Sequence, residues 1–216
     1  MKDILYFLRD LCVNNNRDWF DANRTIYKKH RADFESIVEK MIHEVALFDN
    51  SIAQLSPKDC MFRINRDTRF SLDKTPYKTN FGAFLAPGGK GAFTAGYYLH
   101  IEPDNSFIAG GIYMPPSDVL LKLRTAIYEN PKSFIEIIEN PLFKETFGAI
   151  DAETLKGVPR GFAKTFEHLN LIQYKSYTVT TPMSDEFVEH NDVYEKSIHC
   201  FEAMHAFNSF LNKALE

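Results

Sequence analysis

The feature that most constrains the fold is the stretch AFTAGYYLHIEPDNSFIAGGIYM, residues 92–114, in which two β-prone segments flank a turn signal. The first segment alternates with a period of two, the spacing that sends successive side chains to opposite faces of a strand. PDN at 103–105 favours a tight turn, so the two segments predict an antiparallel pair. The faces of the first strand would carry Tyr97, Leu99 and Ile101 on one side and Tyr98, His100 and Glu102 on the other.

Further β-prone segments lie on either side of this pair. CMFRINR and NFGAFLA precede it, and YKSYTVTT, residues 174–181, follows it after a long helical interval. The short connections between the first four segments predict an antiparallel β-meander of about four to five strands.

Helical periodicity dominates both ends of the chain. Residues 4–12 carry one apolar stripe, and NNN at 14–16 should end that helix and cap a second one. The second stripe runs from Trp19 to Phe48 and predicts one long helix. PPSDVLLKLRTAIYEN, with Ser117 as its cap, and two proline-led segments predict three more helices, and a final helical region interrupted near Asn191 begins at Ser184. This order predicts an α+β fold, with the meander packed against long N- and C-terminal helices, in a single domain spanning residues 1–216.

Small residues recur inside the predicted strands, at 82–83, 95–96 and 109–111. Glycine within a strand often marks the close approach of another backbone or of a ligand. The pattern therefore leaves two interpretations, tight packing by the long second helix or a ligand lying on the sheet.

Bulk composition excludes several classes of protein. The net charge of −4 does not suit a chain that coats nucleic acid or anionic lipid over its whole surface. Three widely separated cysteines favour reduced thiols over a disulfide framework or a metal site. The charged start MKDILYFLRDLC does not resemble a signal peptide, and no apolar run has membrane-spanning length. We expect a cytoplasmic protein with no membrane partner, no metal and no cofactor.

The most unusual segment is FRINRDTRFSLDKTPYKTNFGAF, residues 62–84. Between positions 58 and 78 six cations face three anions, a net +3 that leaves −7 for the rest of the chain. If the segment begins as a strand, positions 63 and 65 share one face and the other cations gather in the loop that follows. The candidate ligand-binding residues here are Arg63, Asn65, Arg66, Arg69, Lys74 and Lys78.

The cations of this segment have two opposed interpretations. Arginine forks match the paired oxygens of phosphate and carboxylate, so the segment could bind an anionic small molecule, a nucleotide or, less favoured, a nucleic-acid backbone. Alternatively, Asp67 and Asp73 form ion pairs with these cations, and the pairs hold an exposed loop together.

Three further residues complete the candidate site. Tyr98 and His100 share a strand face with Glu102. His100 and Glu102 could be a base and its partner, two metal ligands or merely part of a hydrogen-bonded surface. Arg160, held between Pro159 and Gly161, either adds a cation from a distant part of the chain or fixes its own loop.

Four segments carry a resemblance to a known family: NNNRDWFDANRTIYKK, FRINRDTRFSLDKTPYKTNFGAF, AGYYLHIEPDNSFIAGGIYMP and LKGVPRGF. Together they resemble the domain of unknown function 2461 family, conserved hypothetical proteins of bacteria and fungi. The resemblance spans nearly the whole chain and implies an α+β single domain, but no activity, substrate or catalytic residue.

The sequence therefore leaves three hypotheses for function. The first is a module that binds a phosphate- or carboxylate-bearing ligand through the basic loop. The second is an enzyme acting on such a ligand, in which Tyr98, His100, Glu102 or an aspartate of the loop would move protons. The third is an interaction module that docks an acidic partner; no oligomeric state follows from any of them.

Overall fold

The computed structural model describes residues 1–216, in ten α-helices and a four-stranded sheet. The order of helices, strands, helices, strand and helices confirms the α+β prediction. The helices are α1 (Lys2–Val13), α2 (Arg17–Ala22), α3 (Arg24–Ala46), α4 (Pro57–Cys60), α5 (Ser117–Glu129), α6 (Pro131–Ile138), α7 (Pro141–Phe147), α8 (Leu169–Ile172), α9 (Asp185–His190) and α10 (Val193–Lys213). The strands are β1 (Phe81–Leu85), β2 (Gly96–Ile101), β3 (Ser106–Ile112) and β4 (Tyr177–Met183).

The N-terminal helices follow the predicted stripes with one correction. Asn16 caps α2, since its side chain accepts a hydrogen bond of 3.0 Å from the backbone N–H of Trp19. The long helix expected from Trp19 to Phe48 is broken at Asn23, which ends α2 and precedes α3. The Asn23 amide donates to the Trp19 carbonyl, and this competition with the helical backbone explains the break.

The sheet is antiparallel throughout, with strand order β1-β2-β3-β4. The predicted meander is confirmed with four strands, and YKSYTVTT supplies the fourth. CMFRINR is not a strand, because only isolated bridges form there, Met61 with Ala83 and Asn65 with Tyr77. The chain folds back on itself before β1, since the Lys78 N–H bonds to the Ile64 carbonyl and competes with regular pairing to the sheet.

The later helices agree with the sequence, except for one cap. Pro116 is the N-cap residue of α5, and Ser117 is the first residue of the helix without a capping hydrogen bond. The final helical region is interrupted near Asn191 as predicted, with Ser184 capping α9 and Asp192 capping α10. None of the helices combines the length and the apolar character needed to cross a bilayer.

One face of the sheet packs against α10 and α3, and the buried apolar side chains form one cluster of 42 residues. The packing at Gly110 is close: a Cβ there would lie 2.0 Å from the Sδ of Met204 in α10. At Gly110 the sheet therefore accommodates the last long helix, and not the second helix that the sequence suggested. The single core supports our proposal that residues 1–216 form one domain.

Candidate functional site

A groove of about 920 Å³ lies over the sheet face that points away from α10. Aromatic rings of three neighbouring strands, Phe84, Tyr98 and Phe107, form part of its floor. Small and polar residues extend the floor toward β4. The remaining floor and wall residues are Phe62, Lys90, Gly91, Ala92, Phe93, Thr94, Asn105, Ala109, Gly110, Gly111, Ile112, Tyr113, Asp151, Thr178 and Thr180.

A line of hydrogen-bonded side chains begins at the floor of this groove. The Tyr98 Oη lies 2.8 Å from His100 Nδ1, and His100 Nε2 lies 3.1 Å from Glu102 Oε2. The three residues alternate along β2, so the strand itself places them on one face. We call this set, Tyr98, His100 and Glu102, the relay.

Neighbouring groups fix the relay in position. The His100 ring stacks on Phe107 with centroids 4.5 Å apart and planes 14° apart. The Glu102 carboxylate accepts hydrogen bonds of 2.6 Å from the Thr79 hydroxyl and 2.8 Å from the Asn105 amide. Together these contacts leave both ends of the imidazole with a defined partner and orientation.

Gly82 in β1 has no side chain, and the space this leaves is occupied by the Tyr98 hydroxyl. A Cβ on Gly82 would lie 2.6 Å from the Tyr98 Oη, closer than real Cβ contacts allow. Glycine is therefore needed for the observed position of the phenol, a close approach that the small residue makes possible.

Burial and charge set the protonation of the relay. Burial raises the pKa of Tyr98 to about 12, and the nearby Glu102 charge contributes in the same direction. Burial also lowers the pKa of His100, with Lys78 adding to the effect and Glu102 opposing it. For Glu102 burial raises the pKa, but the hydrogen bonds from its neighbours outweigh it and the pKa is lowered. The resting relay is thus a neutral phenol, a neutral imidazole and a carboxylate.

Lys78 is a half-buried cation beside this arrangement. Its Nζ lies 5.3 Å from the centre of the Phe62 ring, and that ring lies edge-on to Tyr98 with centroids 6.1 Å apart. Burial lowers the pKa of Lys78, and the charge of Arg63 lowers it further. Neither cation forms an ion pair, because the ion pairs of this segment belong to its other arginines. Lys78 therefore carries a positive charge with no ion-pair partner beside a ring that lines the groove, and Arg63, whose charge also acts on Asp67, lies near it.

The remaining cations of the basic segment are held by their own loop. Arg66 pairs with Asp73 and also reaches Thr75, while Arg69 and Asp67 form an ion pair of 2.6 Å. Hydrogen bonds from Thr75 and from Arg66 lower the pKa of Asp73 to about 2. The Lys74 Nζ donates to the Thr68 carbonyl at 2.9 Å. For these three cations the internal-pairing interpretation is the one that the contacts support.

A comparison with protein families identifies the chain. A family model described as "Conserved hypothetical protein (DUF2461)" matches residues 3–210. The chain belongs to the DUF2461 family. The resemblance seen in the sequence is thereby confirmed across almost the whole length. Comparisons with curated proteins and with solved structures gave no match.

The other predicted residues of this DUF2461 protein lie apart from the relay. Asn65 is exposed and bridges to Tyr77, at the base of the basic loop. Arg160 is exposed in the long connection between α7 and α8, near Phe162, whose ring packs on Tyr128 of α5. Neither side chain forms a hydrogen bond or an ion pair with Lys78 or the relay.

Sequence reasoning missed most of the groove of this DUF2461 protein. Phe84 and Phe107 read as ordinary strand residues, because their role depends on which strands are neighbours and on which face remains open. Thr79 and Asn105 orient Glu102, but Thr79 stands in a loop without a pattern, and the turn signal that contains Asn105 does not predict its contact with Glu102. The useful signal was the run of small residues at 109–111, for which a ligand was one of the two interpretations.

Proposed function

We propose that this protein binds a small molecule that has a planar, apolar body and an anionic group, phosphate or carboxylate. The body would lie on the aromatic floor of the groove, and the anion would meet Lys78 and Arg63. The observation that carries the proposal is a half-buried lysine with no ion-pair partner that lies over the Phe62 ring, which itself lines a large, largely apolar groove. Ligand sites commonly combine such an apolar cavity with a few polar groups that fix orientation.

The proposal narrows the anion-binding hypothesis from the whole basic segment to two of its residues. Arg66, Arg69 and Lys74 already have partners, so an added anion would compete with existing bonds. Lys78 is also partly desolvated, which strengthens its attraction for an anion relative to an exposed lysine. We also propose a cytoplasmic setting, because all three cysteines are free thiols and two of them are buried.

Phenyl phosphate and benzoate, with inorganic phosphate for comparison, test the binding proposal by thermal shift and by calorimetric titration at low salt. The aromatic anions should stabilise the protein, by about 2.7 kcal/mol at a hundred times Kd, and raised salt should weaken them. Inorganic phosphate should bind more weakly, because it leaves the aromatic floor empty.

Lys78→Gln and Lys74→Gln make a matched pair, since both remove a lysine charge from the same segment. A charge-assisted hydrogen bond contributes about 1.5–3 kcal/mol, so Lys78→Gln should weaken binding at least about tenfold. Lys74→Gln should change it by less than about twofold, because that Nζ lies on the Thr68 carbonyl. Equal losses in the two variants, or no binding of either aromatic anion, would refute the proposal.

A second function is favoured by the tip of the basic loop. Phe70 and Leu72 are almost fully exposed, at 96% and 103%, between Arg69 and Lys74. Large apolar side chains flanked by cations suit an interface with an acidic protein partner. A pull-down should lose such a partner when Phe70 and Leu72 are changed to serine and should retain it for Leu47→Ser, an exposed leucine outside the loop. Equal recovery by both variants would exclude this docking role.

A further inference from the structure

We propose that the relay accepts a proton from the ligand in the groove, which would make this protein an enzyme that abstracts protons. The inference rests on the proposed function, because the relay begins at the floor of the same groove. The substrate would carry an acidic O–H, or a C–H beside a carbonyl, close to its anionic group.

The hydrogen-bond partners define where the protons of the relay lie. Glu102 accepts bonds from Thr79 and Asn105, as expected of a carboxylate, so the hydrogen on the His100–Glu102 bond belongs to His100 Nε2. The neutral imidazole then has its lone pair on Nδ1, and the Tyr98 O–H donates to it. This tautomer follows from the network of donors and acceptors.

In this proposal the Tyr98 oxygen is the group that meets the ligand, because Tyr98 is the member of the relay that lines the groove. Its hydrogen points to His100, so a lone pair remains to accept a proton from the groove, whose floor includes the Tyr98 ring. A nucleophile or base oriented by a histidine and a carboxylate is a recurrent arrangement in enzymes. Here a phenol takes the first position, and the strand alternation of β2 supplies the whole set.

The proposed step moves one proton from the substrate to Tyr98 and one proton from Tyr98 to His100. The X–H bond of the substrate breaks and an O–H bond forms at Tyr98, while the original Tyr98 O–H breaks and an N–H forms at His100 Nδ1. The products are the substrate anion, a neutral Tyr98 and an imidazolium that faces the Glu102 carboxylate. Lys78, one aromatic ring away from Tyr98, stabilises the negative charge that appears on the substrate.

A concerted transfer agrees with the protonation of the separate groups. A tyrosinate is disfavoured because burial raises the pKa of Tyr98 to about 12. The hydroxyl must therefore pass its own proton to His100 as it receives the new one. The charged groups around the relay are Glu102, Lys78 and Arg63, and the thiol of Cys12 lies near Glu102.

The test uses 4-hydroxy-3-nitrobenzoate, which has an aromatic body, a carboxylate anchor and a phenol whose ionisation is visible by absorbance. Binding is measured by equilibrium dialysis, and the ionisation constant of the bound phenol is measured by pH titration at saturating protein. The constant should rise at least tenfold over that of the free probe. In ¹⁵N spectra the ring of His100, assigned by comparison with His100→Gln, should become an imidazolium as the bound probe ionises.

Two variants of neighbouring residues distinguish the relay from general effects. Tyr98→Phe should remove most of the gain in ionisation constant and leave only the part that the charge of Lys78 contributes. This constant does not depend on affinity once all of the probe is bound. Tyr97→Phe is the matched control, because Tyr97 also bonds to a histidine, His205 at 2.9 Å, but on the opposite face of β2. That variant should keep the full gain.

The outcomes separate this inference from the binding proposal. If the probe binds but ionises equally in the wild type and in Tyr98→Phe, the relay is refuted and the binding function stands. A bound probe with no gain in ionisation constant has the same meaning. Failure of the probe to bind at all would refute both.

Discussion

Gly82→Ala is the sharpest perturbation of the relay, because it adds one methyl group beneath the Tyr98 hydroxyl. The new Cβ would lie 2.6 Å from Oη, whereas ordinary contacts begin at 3.4 Å, so the oxygen must move by about 0.8 Å. Movement of that size away from His100 would stretch the 2.8 Å bond to about 3.6 Å, which is no longer a hydrogen bond.

The expected loss of stability follows from that bond. A buried hydrogen bond contributes about 1 kcal/mol, and the His100 nitrogen left without a donor adds about 1–3 kcal/mol. Replacing glycine by alanine also restricts the unfolded chain, which stabilises the folded protein by about 0.4–1 kcal/mol. The net destabilisation should be about 1–3.5 kcal/mol, a fall in Tm of roughly 2–14 °C for a chain of this length.

Urea denaturation with Gly157→Ala as control provides the assay, since a Cβ at Gly157 meets nothing within 4 Å. The double variant Gly82→Ala/Tyr98→Phe should be less destabilised than the sum of its single changes, because the phenylalanine lacks the clashing oxygen. A Gly82→Ala protein as stable as Gly157→Ala, or strictly additive single changes, would refute the reasoning.

Three further predictions concern the sheet, the buried histidine and the thiols. Gly111→Ala should lower the free energy of unfolding by about 3–5 kcal/mol, because the φ of Gly111 is +99° and a Cβ there would lie 1.9 Å from the Tyr177 carbonyl oxygen. A thermal melt measures this loss as a fall in Tm. A Tm within about 2 °C of the wild type, the shift expected for a loss of only about 1 kcal/mol, would contradict the prediction. Because the pKa of His100 is lowered by folding, the unfolded chain binds the proton first and stability should fall as pH drops below about 6.5. His100→Gln should flatten the urea-midpoint profile below about pH 6.5, and an unchanged slope there would exclude His100 as its source. Ellman's reagent should modify only Cys12 in the folded protein and all three cysteines in guanidinium. The other two thiols are buried, and burial raises the pKa of Cys60 to about 12. Modification of a second thiol without denaturant would contradict the packing.

The basic segment shows why charge spacing alone does not define a binding site. Six cations between positions 58 and 78 suggested one anion site, but an arginine that pairs within its own loop has the same sequence signature as one that awaits a ligand. The turns that bring Asp73 to Arg66 and Asp67 to Arg69 decide the difference. Lys78 remains distinctive because its segment folds against Ile64 and carries the lysine toward Phe62.

Alternation in β2 and helical stripes at both ends of the chain were sufficient to predict the α+β class, the antiparallel strands and the common face of Tyr98, His100 and Glu102. These features depend on short-range geometry, since a period of two or of about 3.6 is a local property of the backbone. The groove and the position of Lys78 were decided only by tertiary structure. They depend on which strands are neighbours, on the face that α10 covers and on the space above Gly82, which are long-range contacts that local periodicity does not encode.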